Sequence, residues 1–295
     1  LRKDLGFKGL IVTDAMSMSG LTLYFTQEEA GVRAFLAGAD ILEKPSDTDA
    51  MIHGLINAVK SGRISQERLD QSVRKILAWK YQVGLVKNRI TPIDQIDKIV
   101  SGSESDQLAQ EVAEKAITLV RNDAGLLPLD RNAKVAVLGI SNGFDPEVTF
   151  GPLTRELRAN GVKFDAALIQ ENTSPEQIAK AREMVNKADV VIAGLYGRVR
   201  TGQKNSGGLP ESGARIIRDL IEKDKKVVGV SLGNPYVLEA FPQMKTYVVT
   251  YGDMPYLQRS AVKGIFGLED ITGHLPISLP GLYPIGTGIQ LKASR

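Results

Sequence analysis

The sequence predicts an α/β protein with two domains, and three observations lead to this prediction. Short apolar runs rich in β-branched residues alternate with segments of helical periodicity, as in parallel sheets covered by helices. The 295 residues are enough for about two domains. A polar stretch over residues 86–106 is interpreted as a linker, with a surface excursion inside one domain as its alternative. The predicted domains therefore cover residues 1–85 and 107–295.

The first domain is predicted to begin with a strand that ends in an acidic residue. Residues 9–14, Gly-Leu-Ile-Val-Thr-Asp, form a continuous apolar run of the kind that is buried on both faces of a parallel sheet. Thr26 is placed to cap the helix that follows. The predicted elements are strands over residues 9–14 and 39–42 and helices over residues 26–38, 47–60 and 65–84. The residues of the last helix expected to face the core are Leu69, Val73, Ile76, Leu77, Trp79 and Tyr81.

The second domain is predicted to contain a parallel sheet with helices on both faces. Strand and helix signals alternate regularly, which is typical of consecutive crossovers between parallel strands. The predicted strands cover residues 135–140, 165–169, 189–195, 226–232 and 247–251, and the predicted helices cover residues 106–121, 153–159, 175–187, 213–223 and 255–266. The segment from Leu275 onward is rich in proline and glycine, so we expect it to lie back over the surface.

Composition argues against several classes of function. The formal net charge is +3 and the basic residues are scattered, which does not favour nucleic-acid binding. No apolar run approaches the ~20 residues of a membrane-spanning helix, so no membrane span is predicted. The chain has no cysteine and two histidines, so it has no disulfide and a zinc site is not expected. Gly139 and Gly143 lack the spacing of a dinucleotide site, and we predict no cofactor.

Asp14 is the candidate catalytic residue. It ends the first predicted strand, and carboxylates at the C-terminal ends of βα-barrel strands commonly carry catalysis. The alternative, from the residues alone, is an aspartate that caps a loop or a helix. The choice between the two depends on the sequence that surrounds Asp14.

That sequence resembles glycoside hydrolase family 3 at several places in the same order. LGFKGLIVTDAMSM at residues 5–18 resembles the family's nucleophile strand, and AGADIL at residues 37–42 resembles the strand that follows it. EKAITLVRN and LLPL, at residues 114–122 and 126–129, resemble the start of the family's second domain, and residues 273–284 resemble its closing segment. Each segment alone is a weak signal, but together they cover the chain from residue 1 to about residue 291.

The resemblance implies a retaining glycosidase with Asp14 as its nucleophile. It also implies that residues 1–85 are the last two βα units of a TIM-type barrel and that residues 107–295 form an α/β sandwich domain. A whole barrel takes about 250 residues and closes its sheet. We therefore expect a missing N-terminal barrel segment, supplied by a longer polypeptide or a separate piece, and we expect the chain alone to be inactive on its carbohydrate substrate.

The general acid/base separates two branches of this family. In the β-glucosidase-like branch it is a glutamate of the second domain, and Glu211 is the first carboxylate after the corresponding loop; we interpret Glu211 instead as favourable charge at a helix start. In the β-N-acetylglucosaminidase-like branch, a histidine with a partner aspartate on an early barrel loop transfers the proton, and those residues would lie in the missing part. The loop itself, residues 197–208, has no acid and holds Arg198, Arg200, Gln203, Lys204 and Asn205, which we interpret as a solvated loop in preference to a polyanion site.

The residue after Asp14 favours the second branch. β-Glucosidase-like members carry tryptophan there, whereas this chain has Ala15 followed by Met16. We therefore predict removal of terminal β-linked N-acetylhexosamine, with a β-glucosidase or a non-catalytic α/β binding or scaffold module as alternatives. Neither His53, on a predicted helix, nor His274, in the closing segment, is expected to be catalytic.

Overall fold

The computed structural model describes residues 1–100, 102–123, 125–143, 145–200 and 205–294. It consists of two compact units, the N-terminal unit Leu1–Ile96 and the C-terminal unit Asp97–Arg295. Within the described ranges, no helix is both long and apolar enough to cross a bilayer.

The regular elements of the N-terminal unit are helices. They are α1 Ser19–Thr22, α2 Gln27–Leu36, α3 Thr48–Lys60 and α4 Gln66–Gln82, followed by the 3₁₀ turn Ile93–Gln95. Thr26, Asp47 and Ser65 each precede a helix and accept a hydrogen bond from the backbone N–H three residues on, so the N-cap predicted at Thr26 is confirmed. Two small apolar clusters join these helices, one with Val32, Phe35, Ala58 and Ile64 and the other with Met16, Ala30 and Met51.

The two strands predicted in this unit do not form a ladder. The extended segments at residues 9–14 and 39–42 share one isolated parallel bridge, between Val12 and Ile41. Val12 is 50 % exposed, so the expectation of burial on both faces was wrong. A strand is buried in that way only when other strands flank it and helices cover the sheet. Among the described residues, each of these two segments pairs with the other alone.

Helix α4 has the predicted periodicity but not the predicted burial. Ser72 is its buried residue. Val73, Leu77 and Tyr81 are 45 %, 57 % and 70 % exposed, and Trp79 is 43 % exposed. The prediction that these four side chains face a core was therefore wrong for this unit, whereas Leu69 of the same helix is partly buried against the cluster that contains Phe35.

The C-terminal unit contains a mixed six-stranded sheet flanked by helices. The strand order is β1-β6-β5-β4-β2-β3, with β1 antiparallel to β6 and all other pairs parallel, so the prediction of a wholly parallel sheet was wrong at this edge. The strands are β1 Thr118–Asn122, β2 Val135–Ser141, β3 Phe164–Ile169, β4 Val190–Tyr196, β5 Lys226–Ser231 and β6 Thr246–Val249. Helix α5, Ile96–Ile99, begins at the last residue of the N-terminal unit. The helices that follow are α6 Ser103–Ala116, α7 Pro146–Thr149, α8 Gly151–Ala159, α9 Pro175–Lys187, α10 Glu211–Glu222 and α11 Pro255–Ile265, with a 3₁₀ turn at Pro235–Ala240.

Strand β1 was missed because its sequence continues an apolar helical spacing. The helix predicted over residues 106–121 begins earlier, at Ser103, and ends at Ala116. The next residues, Ile-Thr-Leu-Val, are mostly β-branched and favour an extended backbone that pairs with β6. The helix also occupies part of the predicted linker over residues 86–106.

The core of the C-terminal unit lies on both faces of the sheet. Every residue of β2 and β4 is buried, as their continuous apolar runs predict. Successive side chains alternate between two apolar clusters, with Val135, Val137, Val190 and Ile192 in one and Ala136, Leu138, Val191 and Ala193 in the other.

The closing segment lies back along the sheet, as expected. Isolated antiparallel bridges join Leu119 to Ile289 and Ile271 to Leu291. Leu275, at 1 % exposed, belongs to one of the two apolar clusters.

Candidate active site

Asp14 lies in the N-terminal unit, two residues beyond the bridge between Val12 and Ile41. Its side chain is exposed, and Oδ1 accepts a hydrogen bond from the backbone N–H of Ala15 at 2.7 Å. The two extended segments run parallel, with Thr13 N–H donating to Ile41 O at 3.1 Å. Asp14 is therefore a solvent-accessible carboxylate at the C-terminal end of a parallel-paired segment.

A second carboxylate, Glu43, ends the neighbouring segment at the matching position. It also lies two residues beyond the bridge, and its side chain is exposed. Its backbone N–H donates to Thr13 Oγ1 at 3.0 Å, and its carbonyl accepts from Met16 N–H at 2.9 Å. Glu43 is not among the residues predicted from the sequence, although the run AGADILE ends in an acid as the run GLIVTD does.

A third carboxylate, Asp40, lies in the second of these segments and is buried. Its side chain has 0 % exposure and connects the segment of Asp14 with the N-terminus and α4. Its partners are the guanidinium of Arg2 at Oδ2, Ile11 N–H at 3.1 Å from Oδ2, the Ser72 hydroxyl at 2.6 Å from Oδ1, Arg68 at 3.7 Å and Lys75 at 3.6 Å from Oδ1.

The electrostatics of Asp40 are decided by these partners. Burial alone would raise the pKa of Asp40, but its hydrogen bonds and the neighbouring positive charges outweigh burial and lower the pKa from its ordinary value. The group therefore carries its negative charge at neutral pH while it is enclosed by the protein.

Gln27 joins the two loops that follow the segment ends. It is 8 % exposed and lies at the start of α2. Its Nε2 donates to Met16 O at 3.2 Å, and its Oε1 accepts from Ser46 N–H at 3.0 Å. The loop after Asp14 and the loop after Glu43 are thus fixed to one buried side chain.

The residues considered in the C-terminal unit are engaged in structural contacts. Glu211 opens α10, and its carboxylate pairs with Arg218 and, at 3.9 Å, with Arg215 of the same helix. Arg198 pairs with Asp253, and Arg200 donates to the carbonyl of Asn142. Asn205 donates to Glu171. Gln203 and Lys204 of the same loop lie outside the described residues.

The histidines and the tryptophan are remote from these segment ends in sequence. His53 is exposed on α3, where its Nδ1 lies 2.8 Å from Asp49 O. His274 is exposed in the closing segment, with Nε2 3.4 Å from Gln290 Nε2. Trp79 is a half-exposed residue of α4.

Two family models match the chain. The model of the glycosyl hydrolase family 3 N-terminal domain matches residues 1–79, and that of the family 3 C-terminal domain matches residues 117–283. Among curated relatives, a β-N-acetylglucosaminidase/β-glucosidase of Cellulomonas fimi is 27 % identical, over 94 % of this chain and 50 % of that protein. A lysosomal β-glucosidase of Dictyostelium discoideum is also 27 % identical, over 95 % of this chain and 39 % of that protein.

A solved structure has the same architecture. The family 3 β-N-acetylglucosaminidase from a Paenibacillus species superposes with a TM-score of 0.80 at 26 % identity, over 98 % of this chain and 53 % of that one. The chain thus spans about half the length of these proteins or less.

Proposed function

Because the chain belongs to glycosyl hydrolase family 3, we propose that it is the C-terminal portion of a retaining glycosidase that removes terminal β-linked N-acetylhexosamine, with Asp14 as nucleophile. The position of Asp14 carries this proposal. The carboxylate is exposed at the end of a parallel-paired segment, within the residues that match the N-terminal family model. Strand ends of this kind are where βα barrels place their reacting groups.

The proposed reaction has two steps. A carboxylate oxygen of Asp14 bonds to C1 of the sugar while the bond from C1 to the leaving oxygen breaks and a general acid protonates that oxygen. Water then gives a proton to the same group and attacks C1, which releases Asp14. The hydrogen bond from Ala15 N–H to Oδ1 orients the carboxylate.

We assign the general acid/base to the part of the barrel that this chain lacks. The supporting observation is that Glu211, the carboxylate considered in the C-terminal unit, is held by two arginines of its own helix. In this proposal residues 1–85 supply the last two βα units of a TIM-type barrel, residues 107–295 belong to the α/β sandwich domain, and the residues between them connect the two and include the start of α6.

The exposed apolar surface of the N-terminal unit supports the proposal that this unit is part of a larger barrel. Leu77 is 57 % exposed on α4. An open cavity of about 320 Å³ lies between α3, α4 and Asp40, and its lining includes Met51, Leu69 and Ile76. Further barrel elements would cover these side chains, as apolar faces of barrel units are covered in complete barrels.

For the substrate we propose an N-acetylhexosaminide over a glucoside. Ala15 leaves more space beside the sugar than the tryptophan of β-glucosidase-like members would. The Paenibacillus structure is described as a β-N-acetylglucosaminidase. The Dictyostelium relative is named a β-glucosidase and favours the second candidate. Hydrolysis rates of nitrophenyl N-acetyl-β-glucosaminide and nitrophenyl β-glucoside decide between the two.

The test of the nucleophile is covalent trapping in the native polypeptide that contains this chain. A 5-fluoro N-acetyl-β-glucosaminyl fluoride should add one sugar to the intact mass, with the label on the peptide that contains Asp14. Asp14→Asn should abolish the label, whereas Asp49→Asn, an acid on α3, should leave it unchanged. Labelling of the Asp14→Asn protein would rule out Asp14. The 295-residue chain alone should release no nitrophenol from either glycoside.

A further inference from the structure

The segment that carries Asp14 pairs with its neighbour over a short length, through hydrogen bonds between the backbones of residues 11–16 and 40–43. It forms one isolated bridge with its neighbour, and Val12 at that bridge is half exposed. A nucleophile must be kept within about 0.5 Å of its productive position, which requires supporting contacts behind it. Side-chain contacts from Asp40 add to the backbone hydrogen bonds between the two segments.

Asp40 adds a side-chain contact to this short pairing. Its Oδ2 accepts from Ile11 N–H, three residues before Asp14, and its own N–H donates to Ile11 O at 2.8 Å. Asp40 therefore contacts both the backbone N–H and the backbone carbonyl of Ile11. Its other oxygen, Oδ1, accepts from Ser72 of α4 at 2.6 Å.

Arg2 extends the same connection upstream. It pairs with Oδ2 of Asp40 and also donates to Phe7 O at 2.9 Å and to Gly9 O at 2.7 Å. The guanidinium of Arg2 therefore connects the carboxylate of Asp40 to the backbone at residues 7–9, directly before the extended segment.

We propose that Asp40 is the positioning residue for Asp14, holding the nucleophile's segment at the distance that attack on C1 requires. This inference rests on the proposed function. Asp40 touches no substrate; it acts through Ile11 and Arg2. Its charge matters because two arginines and a lysine face it, and only an ionised carboxylate satisfies donors at both oxygens.

The expected effect is on the rate at which Asp14 reacts. A displacement of about 1 Å at a reacting group costs on the order of 10²-fold in rate. Asp40→Asn keeps the shape but replaces one acceptor oxygen by a donor. It should lower kcat by roughly 10- to 100-fold with little change in KM, since the alignment counts in the transition state. Ser72→Ala removes a hydrogen bond to Oδ1 but leaves the bond to Ile11, and should lower kcat less than about threefold.

Active-site titration separates positioning from a purely structural role. In the native polypeptide, positioning predicts that the fluorosugar labels Asp40→Asn to full stoichiometry at a lower first-order rate. A structural role predicts fewer labelled molecules, each reacting at the normal rate. Wild-type labelling rate, or loss of stoichiometry alone, overturns the proposal for Asp40.

Two further results keep the test decisive. If Asp40→Asn does not fold, as shown by far-ultraviolet circular dichroism, Arg2→Gln takes its place: a slower rate at full stoichiometry supports the proposal and the normal rate overturns it. If the wild-type protein is not labelled at Asp14, the proposed function fails and the role of Asp40 fails with it. Normal labelling of the wild type with an unaffected Asp40→Asn rejects only the role of Asp40.

Discussion

The two units fix their strand ends by different means. In the C-terminal unit, β2 is paired along its length with both β3 and β4, and every residue of β2 is buried. In the N-terminal unit, the segment of Asp14 has one bridge and a short run of backbone hydrogen bonds to its neighbour, and the side chain of Asp40 adds a bond to Ile11 N–H. The sheet distributes strand pairing over many backbone groups, whereas the short pairing at Asp14 relies more on the contacts of one buried carboxylate. A single substitution should therefore act differently in the two units.

The chain carries probes that distinguish the units. Trp79 is its single tryptophan and lies on α4 of the N-terminal unit. Tyr196 and Tyr247 are fully buried in the C-terminal unit. Tryptophan emission therefore follows the N-terminal unit, while near-ultraviolet tyrosine dichroism follows mainly the C-terminal unit. Urea unfolding with both signals reports each unit from one sample.

The largest effect is expected in the core of the C-terminal unit. Ile192 is 1 % exposed in the middle of β4, so Ile192→Ala leaves a cavity and should cost about 2–5 kcal/mol in the free energy of unfolding. The tyrosine transition should move to lower urea, and the Trp79 transition should not. Val148→Ala is the matched control, because Val148 is 61 % exposed and should change stability by less than about 0.5 kcal/mol.

An equal shift of both transitions by Ile192→Ala would contradict independent unfolding of the two units. It would mean that the two units unfold as one cooperative body. The different ways in which the two units fix their strand ends would then have no separate effect on the free energy of unfolding.

An effect of acid is expected next, in the N-terminal unit. Hydrogen bonds from Arg63 and Arg33 lower the pKa of Glu29 from 4.5 to about 2. Because the pKa is lower in the folded state, the unfolded chain binds more protons, and the stability from Glu29 is present above pH 4.5 and lost as the pH falls towards 2. The urea midpoint reported by Trp79 should fall over this range.

Glu29→Gln sharpens this test. The variant should show a smaller decrease of the Trp79 midpoint between pH 4.5 and pH 2 than the wild type. Glu28→Gln, which removes a charge from the same turn without touching either arginine, should keep the wild-type decrease. A wild-type slope in Glu29→Gln would refute the assignment.

The sequence predicted the C-terminal unit better than the N-terminal one for a physical reason. Val135 to Ile140 and residues 9–14 are similar apolar runs, but only the first has neighbours on both sides that bury it. An apolar run predicts that a segment favours a buried strand, but burial also requires neighbouring strands and helices that cover it. Strand β1 was also missed for this reason, since its partner β6 is more than 120 residues away along the chain.

The candidate site divides in the same way. Asp14 was selected because it ends an apolar run within a segment that resembles a known family. The network of Asp40 was not predicted, because its partners Arg2 and Ser72 lie 38 and 32 residues away and carry no periodic signal. Glu43 needed the register of the bridge between Val12 and Ile41.

The smallest effects on stability are expected at the helix N-caps. Each unit has a helix capped by a hydroxyl side chain, but the two caps differ in their number of hydrogen bonds. Ser174 forms a reciprocal capping box with Gln177, whereas Thr26 accepts one bond, from Glu29 N–H at 3.4 Å. Ser174→Ala should cost about 1 kcal/mol and Thr26→Ala about 0.5 kcal/mol. Ser174→Ala should move only the tyrosine transition and Thr26→Ala only that of Trp79. Thr26→Ser keeps a hydroxyl at the cap, so a loss of stability in Thr26→Ser equal to that in Thr26→Ala would show that the methyl group, and not the cap, was responsible.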